Sequence, residues 1–172
     1  NWMNGEYLRK LTVEDFAGRL LPWLEKTEWF TGEKSLKTPY AKTALKAVQT
    51  RIKTLADATP MLRYFLNDTL DFDLKLLQSE KMKVDAVMVK TSLQAAREDL
   101  STLEESNFSS EEAIKACLVK TIERLGLKNG QVLWPLRMAL TGQEFSPGAF
   151  EMIQILGKEK TLNRLKQTLK KL

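Results

Sequence analysis

Apolar residues recur at helical spacing along nearly the whole chain, and no stretch alternates with the two-residue period of a half-buried strand. In LTVEDFAGRLLPWLEK, Phe16, Leu20, Leu21 and Leu24 share one face. Thr12 precedes them, and Glu14 and Asp15 fall in the first turn, where carboxylates suit the positive end of the helix dipole. Pro22 bends this helix or closes its first part. WFTGEKSLKTP reads as a polar connector. Thr38 then caps a helix with Pro39 at its first position, where a missing N–H costs nothing. Ala44, Leu45, Val48, Ile52 and Leu55 supply its apolar stripe. Pro60 is expected to begin a short aromatic-rich helix, PMLRYFLND, and residues 67–73 read as a turn.

From about Leu74 to Leu103 the pattern is again helical, with the charged QSEKMKVD as a candidate interruption. Ser109 and Glu112 fit the reciprocal cap S-x-x-E of the next helix, and Gly126 fits its stop. Asn129-Gly130 reads as a turn. A helix from Gln131 to about Leu140 ends at Gly142, Ser146 and Pro147 open another, and Gly157 closes it. The fold class is all-α. A chain of 172 residues suffices for one large domain or two small ones. The break after Asn67 suggests two helical subdomains, drawn at 1–80 and 81–172. No repeat of fixed period is evident.

No apolar run reaches the ~18 to 20 residues of a membrane span. The first residue is Asn1, and no charged-then-apolar leader precedes the helical pattern. The expectation is a piece of a longer cytoplasmic protein, monomeric and without a membrane partner. With no His and a single Cys, tetrahedral zinc sites and His-dependent triads have no ligands or bases in these residues. Cys117 lies on the face of Ile114, Leu118, Ile122 and Leu125, and is expected as a buried structural thiol, consistent with a reducing compartment. The pairs Glu104-Glu105 and Glu111-Glu112 sit at helix ends, where they act as caps and dipole partners sooner than as acid–base catalysts. No glycine-rich loop has phosphate-cradling spacing. Neither a catalytic residue nor a metal or cofactor ligand stands out.

Recognition is what remains. Lys and Arg number 27 against 22 acidic residues, a net charge of +5. The excess is uneven, for the terminal KEKTLNRLKQTLKKL holds one glutamate among its many basic residues. Arg51 lies at the edge of the stripe formed by Val48, Ile52 and Leu55, where a guanidinium can cover apolar surface and turn its donor fork outward. Arg137 follows Trp134 and Pro135. Taken singly, each arginine reads as an ordinary surface residue and Trp134 reads as core.

In combination these residues resemble a family. WMNGEYLRKL at 2–11, TRIKTLADATPMLRYF at 50–65 and GQVLWPLRMALTGQEFSPGAFEMIQILGKEKTLNRL at 130–165 are similar to the C-terminal region of bacterial glutamyl-tRNA synthetases. The resemblance spans essentially the whole chain and is most specific in its last block. It implies two packed helical bundles forming a cage, the anticodon-binding region of a class I aminoacyl-tRNA synthetase. Arg51 would read the third anticodon letter, a cytosine. Arg137, with Ser146, Pro147 and Ala149, would lie around the first two letters. Ser146 keeps the hydroxyl of the threonine found in some relatives, whereas Ala149 stands where some carry leucine. Lys166, Lys170 and Lys171 are candidates for phosphate contacts. The implied partners are the anticodon loop of tRNA-Glu and a catalytic half of the same chain. That half would use ATP and magnesium, while these residues need no cofactor. The alternative is a helical protein-interaction module whose basic surface is incidental.

Overall fold

The computed structural model of the protein describes residues 2–172, with side chains described from Gly5 onward. The chain divides after Asp68 into two compact units. The described residues form eight α-helices and no strand ladder, so the chain is all-α.

The first unit contains α1 (Trp2–Lys10), α2 (Val13–Leu24), α3 (Pro39–Gln49) and α4 (Leu55–Leu66), with a 3-10 turn at Glu33–Lys37. Thr12 caps α2 by accepting from the Asp15 amide at 3.1 Å, and Thr38 caps α3 by accepting from Ala41 at 3.1 Å, with Pro39 at the first position. Phe16, Leu20 and Leu24 of α2 are fully buried with Leu45, Leu62 and Phe65, each contributing about 1.5–3 kcal/mol by leaving water. Pro22 lies inside α2, just before its end. Pro60 does not begin α4, as the sequence suggests, but sits within it. The start is set earlier by Asp57, whose carboxylate accepts from the Lys53 and Thr54 amides at 3.2 and 2.8 Å.

The second unit contains α5 (Ala86–Thr102), α6 (Glu111–Leu125), α7 (Asn129–Thr141) and α8 (Ala149–Lys171), with 3-10 turns at Leu74–Leu77 and Glu105–Ser109. Residues 69–80 belong to this unit, held by buried Leu77 and by the Trp134 indole N–H, which donates to the Leu76 carbonyl at 3.1 Å. The helical pattern of 74–103 is divided. A bridge joins Ser79 to Val84 around Lys83 at φ 56°, and Asp85 caps α5 by accepting from Met88 at 2.8 Å. The cap of α6 is Ser110, one residue later than expected, because Ser109 donates to Ser106 within the preceding turn. Asn129-Gly130 is the first turn of α7 and not a free turn, since the Gln131 side chain accepts from the Lys128 amide at 2.9 Å and fixes the helix start there. Helix α8 breaks at Gly157, whose φ of 72° stops the regular path where the sequence places a stop.

Cys117 is half-buried, not fully buried as expected. Burial, reinforced by Asp99, pushes its thiol above the ordinary value, so the thiolate is scarce at neutral pH. Asp99 ties α5 to α6. It accepts from the buried Thr121 hydroxyl at 2.7 Å and from Arg124 at 2.8 Å. Burial pushes the Asp99 carboxyl up, but the bonds from Arg124 and Thr121 outweigh this and hold it below its ordinary value. A carboxylate depressed in the folded state contributes stability above its unfolded pKa and loses it as pH falls through the folded value. Replacing Asp99 by Asn is therefore expected to cost about 1 kcal/mol at pH 7. The difference from wild type should shrink as pH drops below 3.8. Urea unfolding at several pH values checks both the size and the direction.

Candidate nucleic-acid interface

The loop joining α7 to α8 is set by its first residue. Gly142 takes φ 65°, and its amide donates to Met138 at 2.7 Å, closing the last turn of α7. Thr141 extends this closure. Its hydroxyl lies 2.8 Å from the Arg137 carbonyl and accepts from the Gln143 amide at 3.2 Å. Arg137 then reaches forward from the helix and donates through Nη1 to the Glu144 carbonyl at 2.8 Å. Its guanidinium carbon stands 5.2 Å from the centroid of the Trp134 ring, and Trp134 is itself anchored to Leu76. Trp134 is thus neither plain core nor a bare platform, being half-buried with Arg137 over its ring.

Ser146 and Pro147 do not open α8 as the sequence suggests. Gly148 occupies the cap position, Ala149 is the first helical residue, and the Met152 amide bonds back to Gly148 at 2.9 Å. Ser146 instead closes the loop from within, its hydroxyl 3.3 Å from the Gln143 carbonyl. Pro147 and Ala149 are buried and anchor the loop on the helical layer. Arg137, Ser146, Pro147 and Ala149 therefore share one pinned turn of the second unit. Sequence patterning alone does not single out Phe145, which this turn holds 88% exposed. The available signal is a phenylalanine inside a glycine- and proline-bounded loop, outside any helical stripe.

Arg51 belongs to the first unit. It does not lie on α3 as expected but follows Thr50, the residue that ends the helix. The exposed side chain folds back so that Nη1 donates to the Ala47 carbonyl at 2.7 Å. A cation placed there meets the negative end of the helix dipole. Buried Ile52 fixes the turn immediately after it.

The terminal basic segment divides in two. Lys166, Lys170 and Lys171 are exposed, with the Lys171 ammonium 3.2 Å from the Leu70 carbonyl. Arg164, by contrast, is only 2% exposed and donates to the Leu140 carbonyl at 2.6 Å, while Lys158 donates to the Leu103 carbonyl. These two cations are structural.

An all-helical chain presenting arginines and a pinned aromatic turn fits the class of helical domains that bind single-stranded loops of RNA. A family model described as an anticodon binding domain matches residues 15–169, and the chain belongs to that family. It is 34% identical to a glutamate–tRNA ligase of Clostridium acetobutylicum, over 99% of this chain and 33% of the relative. It is 37% identical to that of Clostridium novyi, over 99% of this chain and 34% of the relative. The chain thus spans about a third of the length of these ligases. In fold it is similar to a crystal structure of a glutamate–tRNA ligase from Elizabethkingia meningosepticum, with a TM-score of 0.72 at 23% identity over 99% of this chain and 32% of that one.

Gly142 is the residue on which this turn most depends. A Cβ built there would stand 3.0 Å from Phe72 Cδ1 and 3.1 Å from Phe72 Cβ, in a backbone conformation that side chains rarely adopt. Gly142→Ala is expected to destabilise the protein by about 1–3 kcal/mol, visible as a lower urea midpoint with unchanged slope. A midpoint equal to that of wild type would show that the turn tolerates a side chain.

Proposed function

We propose that this chain is the part of a glutamate–tRNA ligase that grips the anticodon loop of tRNA-Glu, so that a catalytic half of the same polypeptide can attach glutamate. The observation that carries this reading is the match to the anticodon-binding family across residues 15–169, which includes the pinned Arg137 turn. Sequence-specific RNA recognition works best on splayed loop bases, whose edges and ring faces are open. Arg137 offers charge and a planar donor group already oriented by Trp134 and Glu144, so little ordering remains to be done on binding. Ser146 brings a hydroxyl to the same turn, and Pro147 and Ala149 keep its backbone in place. Arg51 reads the third anticodon letter from the end of α3. Lys166, Lys170 and Lys171 attract phosphates without regard to sequence.

The ligase would use ATP and magnesium in its catalytic half. Among the described residues there is no group of three or more His, Cys, Asp or Glu that could hold a metal ion. Among the described residues no helix is long and apolar enough to cross a membrane. The reading extends to a monomeric ligase working in the cytoplasm, with two helical subdomains in its anticodon-binding part. An interaction module with an incidental basic surface would leave the family match without a purpose.

Arg51 gives the sharpest test. In a full-length ligase carrying this chain, Arg51→Gln is expected to lose about 1–3 kcal/mol of preference for cytosine over guanine at the third letter. Comparing kcat/KM for tRNAs that differ only there measures the effect, and an unchanged ratio would return Arg51 to its role at the end of α3. The lysines are tested differently. Replacing Lys166, Lys170 or Lys171 by Ala should weaken all tRNAs equally. Each replacement should also lower the magnitude of the salt slope by roughly 0.7 to 1 for every phosphate no longer neutralised. Altered anticodon preference with an intact slope would contradict the phosphate assignment.

A further inference from the structure

The loop between α7 and α8 holds an aromatic side chain in water, and its surroundings indicate why. Phe145 is 88% exposed, more than any other large apolar residue described, ahead of Val87 at 76% and Tyr7 at 53%. Such exposure on a wandering loop would mean little, but this loop is clamped on both sides of Phe145. Arg137 holds the carbonyl of Glu144 immediately before it, and the Ser146 hydroxyl immediately after it meets the Gln143 carbonyl. Pro147 is buried next in line. The backbone is therefore fixed while the ring projects.

We propose that Phe145 is a stacking residue, presenting its ring face to an unpaired base of the RNA loop. This rests on the anticodon-binding reading above and adds to it a residue that acts on base planes and not on base edges. Three features favour a base over other occupants. The loop residues on either side of Phe145 are Gln143, Glu144 and Ser146, and the apolar Pro147 that follows is buried, so the adjoining chain that meets water is polar, unlike the apolar surround that dries a protein–protein anchor. The exposed Glu144 carboxylate beside it repels phosphate, which directs the contact to an uncharged ring face. A base needs one flat apolar partner, and every base has such a face, so the contribution is affinity without identity. The same turn places the Arg137 guanidinium over Trp134, so identity and affinity have separate carriers within a few residues.

The test uses the 172-residue chain with an anticodon stem–loop RNA carrying 2-aminopurine in the loop, a base whose fluorescence falls on stacking. Phe145→Ala and Phe145→Leu should each weaken binding roughly five- to a hundred-fold and remove the quenching. Phe145→Trp should restore both. The loss should be the same for glutamate and non-glutamate anticodons, with an unchanged salt slope. Wild-type binding by the Leu variant would mean that a generic apolar contact suffices, and wild-type binding by the Ala variant would mean no contact at all; either overturns the proposal. A loss that depended on anticodon identity would do so too. If wild type bound all anticodons alike while the Ala variant lost quenching, anticodon specificity would fail and stacking would stand. If wild type bound no RNA, both would fall.

Discussion

Every helix leaves the carbonyls of its last turn without partners inside the helix, and side chains supply them at the ends of four of the described helices. At the end of α1, buried Gln49 of α3 donates to Leu8 and Leu11 at 2.7 and 2.9 Å. At the end of α3, Arg51 donates to Ala47. At the end of α5, Lys158 of α8 donates to Leu103. At the end of α7, Arg164 of α8 donates to Leu140 from an almost fully buried position. Three of these four donors are cations, and the helix C-terminus is where a cation gains most from the dipole. Each bond also crosses from one helix to another or turns the chain at a helix end, so satisfying the backbone and fixing the packing are the same act.

The turn between α7 and α8 inherits this logic. Once Arg164 has taken the Leu140 carbonyl, Gly142 closes α7 and Arg137 is left to secure the loop beyond it through Glu144. The turn is already held by its own hydrogen bonds, so the proposed contact with RNA would spend little on ordering protein groups. Flat groups, Trp134 under Arg137 and the outward Phe145, then stand on a short stretch of backbone with few remaining freedoms. Under the proposed function, single-stranded RNA would supply the complementary flat surfaces.

Charge illustrates how a correct pattern can hold two kinds of residue. The terminal basic run looks uniform as a string, yet Arg164 and Lys158 serve interior carbonyls while Lys166, Lys170 and Lys171 face water. The exposed lysines are the members of the run most open to a polyanion. The division follows helical phase, because residues separated by a turn or more can face either the neighbouring helices or solvent.

Residue order alone suffices for the helical class, the caps at Thr12 and Thr38, the stops at Gly126, Gly142 and Gly157, and the family. These are local matters of periodicity, side-chain oxygen placement and left-handed backbone, or a long motif that chance does not produce. The folded structure sets where α4 begins relative to Pro60, that Ser110 and not Ser109 caps α6, and that Arg51 lies past its helix. It also buries Arg164, lays Arg137 over Trp134, and leaves Phe145 in water. Arg164 depends on a carbonyl 24 residues away, while the α4 start, the Ser110 cap, Arg51 and Arg137 depend on which carbonyl, amide or ring three or four residues away each side chain reaches. Only the three-dimensional structure settles such contacts, because a one-dimensional pattern records which residues are apolar or charged but not what they meet.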